Sequence, residues 1–559
     1  MKPILYFLLF AVSLSSVQAQ TVVRGPYLQF PTSSSMKVLW RTDVATPSTV
    51  YYGLSLATVM DNQIDLSTSV TNHNVNVEGL SPYTEYYYAV SDGNTVLAGA
   101  DDNHRFRTSP VIGTVQPIRA WVIGDFGKGN AKQMDVKDAF LDHVGSDMPD
   151  MWLWLGDNAY EAGTDEEFAN KVFGSEYGYG EIFPRIPFMP TPGNHDYGSV
   201  LNIVIGENPA DHDGPYFDIV DVPTNGEMGG VPSGYELYYS FDYGNVHFMS
   251  LNSEIGAIFS GSQDWIGSSP FNSFEGSPFT DWLHADLQAN DKPWVVAFFH
   301  QPPHTDGSHD SDQFWEVYMQ AMRENIMPIL ESYGVDLVLS GHSHVYERSF
   351  LLDGFYGVPD DFNINQHVVD GSSGKLADGT PYRKYSDGPN PNLGTVYIVQ
   401  GNSGSNDSDA NLQHPAMYYG HGCDTCVGST MLYANGDTLS GYYLTKDGDV
   451  LDDWAIIKGA FPTGVEEVST LPVGQLEVFP NPFDNETTFT FTIKEKLWAN
   501  VELVDISGKL LHTFHRGLMA PGNKKYLVNA SELGLAKGAY LVRVMTDKQP
   551  ATARLIKVE

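Results

Sequence analysis

Between positions 125 and 344, seven side chains have the types and local settings that bind metal ions. Asp125 stands in "GDFG" after the apolar run "RAWVI", and Asp157 and Tyr160 stand in "GDNAY" after "MWLWL". Asn194, with His195 beside it, lies in "GNHD" after "FMPTP". His300 closes "PWVVAFFH", and His342 and His344 close "VDLVLSGHSH". The carboxyl ends of strands are where ligands bind in open α/β sheets. The adjoining glycines let the backbone turn sharply and come close to an ion. Singly these signals are weak, because a Gly-Asp after a strand is commonly a turn and a lone histidine is more often a satisfied core group. Five motifs in order, supplying three histidines, two aspartates, an amide and a phenol, make a concerted metal site the better reading. Histidines at i and i+2 of an extended loop point to opposite sides, so "GHSH" can serve two ions.

The elements that must position these groups fall between residues 113 and 460. Continuous apolar strands alternate there with helical segments such as "AKQMDVKDAFLDHV", "DWLHADLQAN" and "FWEVYMQAMRENIMPILESY", the last with Asp312 as a candidate cap. Strands apolar on both faces predict a central α/β layered sandwich. Loops rich in Gly, Ser, Pro and aromatics, such as "GSQDWIGSSPFNSFEGSPF", lie between the elements, either to rim a cleft or merely to cover the surface. Residues 20–112 read instead as short alternating strands with frequent turns, an all-β sandwich with Trp40 on its inner face. Within it, "GLSPYTEYYYAV" resembles the tyrosine corner of immunoglobulin and fibronectin type III domains, with Tyr86 the candidate. After a polar linker at 461–474, residues 475–559 return to strands as a small C-terminal all-β sandwich. Its "PNPF", "DISGKLL" and "GAYLVRV" resemble the C-terminal sorting domain of the type IX secretion system, which implies secretion machinery as a partner. The fold class is therefore multidomain, two β-sandwiches flanking a layered α/β domain.

The 559 residues exceed a single core, and Asp+Glu 69 against Lys+Arg 31 gives a net charge of −38. Such a surface disfavours nucleic acid and anionic membranes as bulk partners, and an anionic substrate must be drawn in by local positive charge. "MKPILYFLLFAVSLSSVQAQ" reads as a signal peptide at 1–19, and no later segment is long and apolar enough to span a bilayer. Export is expected, with oligomeric state left open. Cys423 and Cys426 in "HGCDTCVG" suit an oxidising compartment, and a local disulfide is preferred to zinc or redox chemistry.

The ordered set GD-x-G, GD-x-x-Y, GNH, apolar-x-x-H and GH-x-H resembles that of the purple acid phosphatases, within the binuclear metallophosphoesterases. "GHSHVYERS" is especially close, and the likeness spans the N-terminal and central domains. It implies a first ion held by Asp125, Tyr160 and His344, a second by Asn194, His300 and His342, and Asp157 bridging both. A bridging carboxylate can hold two cations roughly 3.5–4 Å apart. Oxygen ligands on the first ion suit Fe(III), and imidazoles on the second suit Zn, Mn or Fe(II). A phenol of pKa ~10 stays ionised at acid pH only on a strong Lewis acid, so Tyr160 also favours Fe(III).

The implied reaction is hydrolysis of small-molecule phosphomonoesters by hydroxide activated at the two ions, with His195 or His309 protonating the leaving group and His304 a lower candidate. Where many large plant-type members carry a second histidine, this chain has Asp310, which leaves the proton donor open. The alternatives are a secreted phosphodiesterase or nucleotidase with the same centre, and a non-catalytic surface adhesion protein.

Overall fold

The computed structural model describes residues 20–174, 176–198, 214–254, 277–406, 412–461, 476–494, 496–505, 509–546 and 551–558. The expected signal peptide, nearly all of the 461–474 linker and most of the aromatic loop at 261–279 lie outside the described residues.

The central domain is built from two sheets, each of seven strands among the described residues. In the first, Ile118–Ile123, Met151–Leu155 and Phe188–Thr191 run parallel and continue into an antiparallel run through Gly428–Asn435, Thr438–Thr445 and Val450–Gly459. In the second, Val246–Ser250, Trp294–Phe298, Leu337–Ser340 and Val396–Gln400 are parallel, with antiparallel strands at both edges. The parallel strands are buried throughout, as their unbroken apolar sequences require. One apolar core spans both sheets, and Trp121, Trp152 and Trp154 lie wholly inside it. Each such side chain contributes a few kcal/mol by leaving water, on the order of 25 cal/mol per Å². Cross-sheet bonds fix the strand ends against one another: Tyr239 donates to the Pro190 carbonyl at 2.7 Å and Thr191 to the Leu251 carbonyl at 2.8 Å.

All three helical segments expected from the sequence are present, and only the last is shortened. The helix expected over 131–144 is present with the side chain of Asn130 capping it. The one read from Phe314 begins only at Val317 and passes through a π-helical turn at Met322–Ile326 before ending at Ser332. Asp312 does not cap it. Its carboxylate instead accepts from Arg323 at 2.9 Å, because a buried guanidinium demands a partner more strongly than an exposed helix end does.

The strands of the N-terminal domain join in one six-stranded sheet. The long strand Ser35–Gly53 loses register against its neighbour between Arg41 and Ser48 and pairs with three strands along its length. Trp40 is buried and stacks on His73 at 4.5 Å, and Tyr86 accepts the Ser81 N–H at 2.9 Å, five residues upstream, as a tyrosine corner does. Tyr27, Phe30 and Leu39 belong to the central core, so the two domains are packed together. Among the described residues, the C-terminal domain has a three-stranded and a four-stranded sheet sharing its own core.

A buried ion cluster stabilises one edge of the second central sheet. His247 contacts Asp242 through Nδ1 and Asp286 through Nε2, both at 2.8 Å. Burial works against a charged imidazole here, but the two carboxylates push it up to about 9. At about 1.4 kcal/mol per tenfold change in proton affinity, the cluster is worth roughly 3 kcal/mol. Because the folded-state value lies above the unfolded one, that stability is complete below about pH 6.5 and lost as pH rises through about 9. Chemical unfolding at pH 6 and pH 10 should show a loss of this size, and His247→Gln should lack it.

Candidate metal centre

The three tightest turns of the site share one backbone feature. Asp125, Asp157 and His342 have φ of 55°, 51° and 62°, left-handed values that cost a non-glycine residue about 1–3 kcal/mol. Each follows a glycine at the end of a parallel strand, and each turn folds its side chain inward among the others. The glycines make room. A Cβ on Gly156 would stand 2.5 Å from His300 Nδ1, and one on Gly341 would stand 2.5 Å from Asp125 Oδ2. Gly156 itself has φ 88°, so Gly156→Ala should displace the His300 ring and also cost about 1–3 kcal/mol of stability. A displacement of about 1 Å costs roughly a hundredfold in turnover, measured below the variant's melting temperature where its circular dichroism spectrum matches the parent's.

Two groups of side chains result, meeting at Asp157. In the first, the Tyr160 hydroxyl donates to Asp125 Oδ1 at 2.8 Å and lies 3.4 Å from His344 Nε2, which is 3.5 Å from the same Asp125 oxygen. In the second, His300 Nε2 lies 3.2 Å from Asn194 Oδ1, from His342 Nδ1 and from Asp157 Oδ1. The ligand atoms of Asp157, His300 and His342 all fall within 4.8 Å of one another. All seven side chains named from sequence thus converge. They come from both sheets.

Their orientation and electrostatics fit cations. His300 donates Nδ1–H to the Leu155 carbonyl at 2.8 Å, which aims Nε2 at Asn194 and Asp157. Burial disfavours charge on His300, yet Asp157 and Asp125 push it up to about 10. The negative field that binds a proton there would attract a metal ion into its place. His342 is pushed down to about 4 by burial and by His309, so it is neutral and available to a metal. Asp157 is buried, but His300 and His195 hold its carboxyl well below the usual carboxylate range. Tyr160 is raised well above 10 by burial and by Asp125 and Asp157, so only a strong Lewis acid would remove its proton.

Both candidate acid histidines border this cluster. His195 Nδ1 faces the Glu161 carbonyl at 2.6 Å and its Nε2 lies 3.7 Å from Asp157 Oδ2. The His309 ring lies 4.0 Å from that of His342, centroid to centroid. His304 is elsewhere, buried against Phe355 and His414. Asp310 also faces away, accepting from the Asp312 N–H and from Gln313 Nε2.

Sequence reasoning missed three supports. Glu316 accepts from His309 Nδ1 at 2.8 Å and lies 3.6 Å from His342 Nε2, joining the two rings. Burial opposes its charge, but His309 and His342 bring it down to about 2, while the same contact raises His309 against burial. Its only signal was an acid at a helix start, which ordinarily answers the helix dipole. Asp196 accepts from the N–H groups of Gly193, Asn158 and Ala159, binding the "GNHD" turn to the "GDNAY" turn. Lys128 places its ammonium 3.3 Å from the Tyr160 ring centre, supplying local positive charge in an acidic protein.

Parallel strands of two facing sheets, with acidic and imidazole turns at their carboxyl ends, define a metallophosphoesterase domain. Residues 118–346 match the calcineurin-like phosphoesterase model, residues 23–108 the purple acid phosphatase N-terminal domain, and residues 477–558 a secretion system C-terminal sorting domain. In its N-terminal and central domains the chain is similar to the purple acid phosphatases. It is 29% identical to purple acid phosphatase 15 of Arabidopsis thaliana over 307 residues, half of each protein. It is 24% identical to acid phosphatase type 7 of Danio rerio over 387 residues, 62% of this chain and 77% of that one. The chain spans about half the length of the first of these relatives. Purple acid phosphatase PPD1 from yellow lupin shares the fold, with a TM-score of 0.56 at 18% identity over 79% of this chain and 77% of that one. The sorting domain suggests a secreted or cell-surface protein, and among the described residues no helix is long and apolar enough to cross a membrane.

Proposed function

We propose that this chain is an exported phosphomonoester hydrolase with a dinuclear centre of Fe(III) and a divalent Zn, Mn or Fe. Asp125, Tyr160 and His344 would hold one ion and Asn194, His300 and His342 the other, with Asp157 between the two groups. Bound there, the ions supply Lewis acidity that activates water and neutralises charge on the phosphoryl oxygens. The observation that carries this reading is the meeting of the two groups at Asp157: His300 Nε2 lies 3.2 Å from Asp157 Oδ1, Asn194 Oδ1 and His342 Nδ1, and Asp157 also acts on the Tyr160 phenol of the other group.

The chain's own residues do the rest. Glu316 fixes His309 through Nδ1, leaving Nε2 to protonate the departing oxygen. His195, pinned through Nδ1 by the Glu161 carbonyl, turns Nε2 to the phosphate side and orients the ester. Lys128 adds positive charge beside Tyr160. Residues 1–19 act as a cleaved signal, and 475–559 address the chain to the secretion machinery.

Turnover of a monoester and of a bis-ester by the metal-loaded chain tests this. A preference of at least about tenfold for the monoester is expected. Equal or faster bis-ester cleavage would replace it with the diesterase reading, and turnover of neither would favour adhesion.

A further inference from the structure

Lys128 holds its Nζ 3.3 Å from the centre of the Tyr160 ring. The tyrosine is buried, whereas the lysine side chain keeps 23% of its surface in reach of water. A cation this close to an aromatic face is attracted by the negative face of the ring, and by a full charge once the phenol is ionised. Glu161 Oε1 lies 3.5 Å from the same nitrogen and helps to hold it there.

The backbone fixes this arrangement. Lys128 follows Gly127 in the turn that carries Asp125, and the Gly127 carbonyl accepts the Tyr160 N–H at 2.9 Å. Lys128 donates its own N–H to the Phe126 carbonyl at 2.8 Å, which tightens the turn. A Cβ on Gly127 would stand 1.9 Å from the Asn158 carbonyl oxygen, so the "GDFG" and "GDNAY" turns touch backbone to backbone. Lys171, a second lysine at this place, donates to the Tyr160 carbonyl and pairs with Glu167 at 3.2 Å, so it secures the backbone of the turn.

The ammonium stands over the ring, whereas the hydroxyl at the ring's end reaches Asp125 Oδ1 at 2.8 Å and His344 Nε2 at 3.4 Å. A positive charge over the ring acts more strongly on the phenolate electrons than on an ion held at the oxygen, because Coulomb attraction falls with distance. It lowers the energy of those electrons and makes the phenolate a poorer donor. Groups outside a ligand set that polarise a ligand tune the metal it holds.

We propose that Lys128 is a positioning residue that tunes the first ion through Tyr160, weakening phenolate donation so that the ferric ion stays electron-poor and strongly Lewis acidic. The inference rests on the reading that Tyr160 is a ligand of Fe(III). It assigns Lys128 a task that its fixed charge performs, without contact with the substrate.

The test is the visible spectrum and the one-electron reduction potential of the iron-loaded full chain, beside those of Lys128→Met and Lys128→Arg. Met keeps an unbranched stem over the ring and removes the charge, while Arg keeps a charge there. In Lys128→Met the absorption band should move to longer wavelength, and the potential should fall by about 59 mV, a tenfold change in the one-electron equilibrium. Lys128→Gln, neutral but polar, should repeat both changes, and Lys128→Arg should stay near the parent. Iron content and melting temperature are measured on each variant. An unmoved band and potential in both neutral variants, a shift in Lys128→Arg as large as theirs, or loss of iron from both neutral variants would overturn the tuning role and leave iron–phenolate ligation standing. An iron-loaded parent with no visible band would retract the ferric phenolate itself, and the tuning with it.

Discussion

Asp157→Asn is expected to lower phosphomonoester turnover by at least about 10³-fold and to weaken retention of both cations. The substitution preserves shape. Asp157 is 2% exposed, and an amide fits the same space and still accepts the His195 N–H, which reaches Oδ1 at 2.9 Å. What it removes is the charge. His300 and His195 hold that carboxyl well below the usual range, so it is ionised at any pH where the enzyme would work. An amide also points N–H hydrogens either at His300 Nε2 or toward His195, 3.2 and 3.7 Å from the two carboxylate oxygens. One neutral group in place of a shared anion therefore weakens both ions together. Near-normal turnover would contradict the shared role of Asp157.

Tyr160→Phe is expected to abolish a broad visible absorption of the iron-loaded protein while leaving the divalent ion bound. The ring stays, along with its contacts to Lys128 and His195 at 3.3 and 4.6 Å. Only the hydroxyl is lost, and with it the 2.8 Å hydrogen bond to Asp125. Burial and two carboxylates raise that phenol so far that a divalent ion is a poor competitor for its proton. Fe(III) is a strong one, and a phenolate on Fe(III) absorbs visible light by charge transfer. An unchanged spectrum would remove iron–phenolate ligation from the account and leave Tyr160 as a hydrogen-bond donor to Asp125.

Much of this site is legible in the sequence because a parallel strand leaves its carboxyl end where a ligand can bind, and the glycine beside each ligand marks the turn. Asp125, Asp157 and His342 carry the fold's signature in that sense: an apolar strand, a glycine, then the functional group. Glu316 was illegible because its partners, His309 and His342, lie in different loops, and nothing local distinguishes it from an acid at a helix start. Asp196 was hidden for a related reason. Its work is to accept backbone N–H groups of another turn, which leaves no pattern of residue types. The strands at 428–459 escaped notice since their alternation is interrupted by Gly441 and by polar residues facing a buried edge. The shortened helix after Trp315 reflects tertiary override, with Asp312 drawn to Arg323 instead of the helix end.

The central claim is that seven side chains hold two cations through Asp157. Metal analysis of the purified full chain tests it most directly. Two ions per chain, one of them iron, with well under two in Asp157→Asn, is the expected result. A chain that retains none, or an Asp157→Asn variant that keeps both, would contradict it.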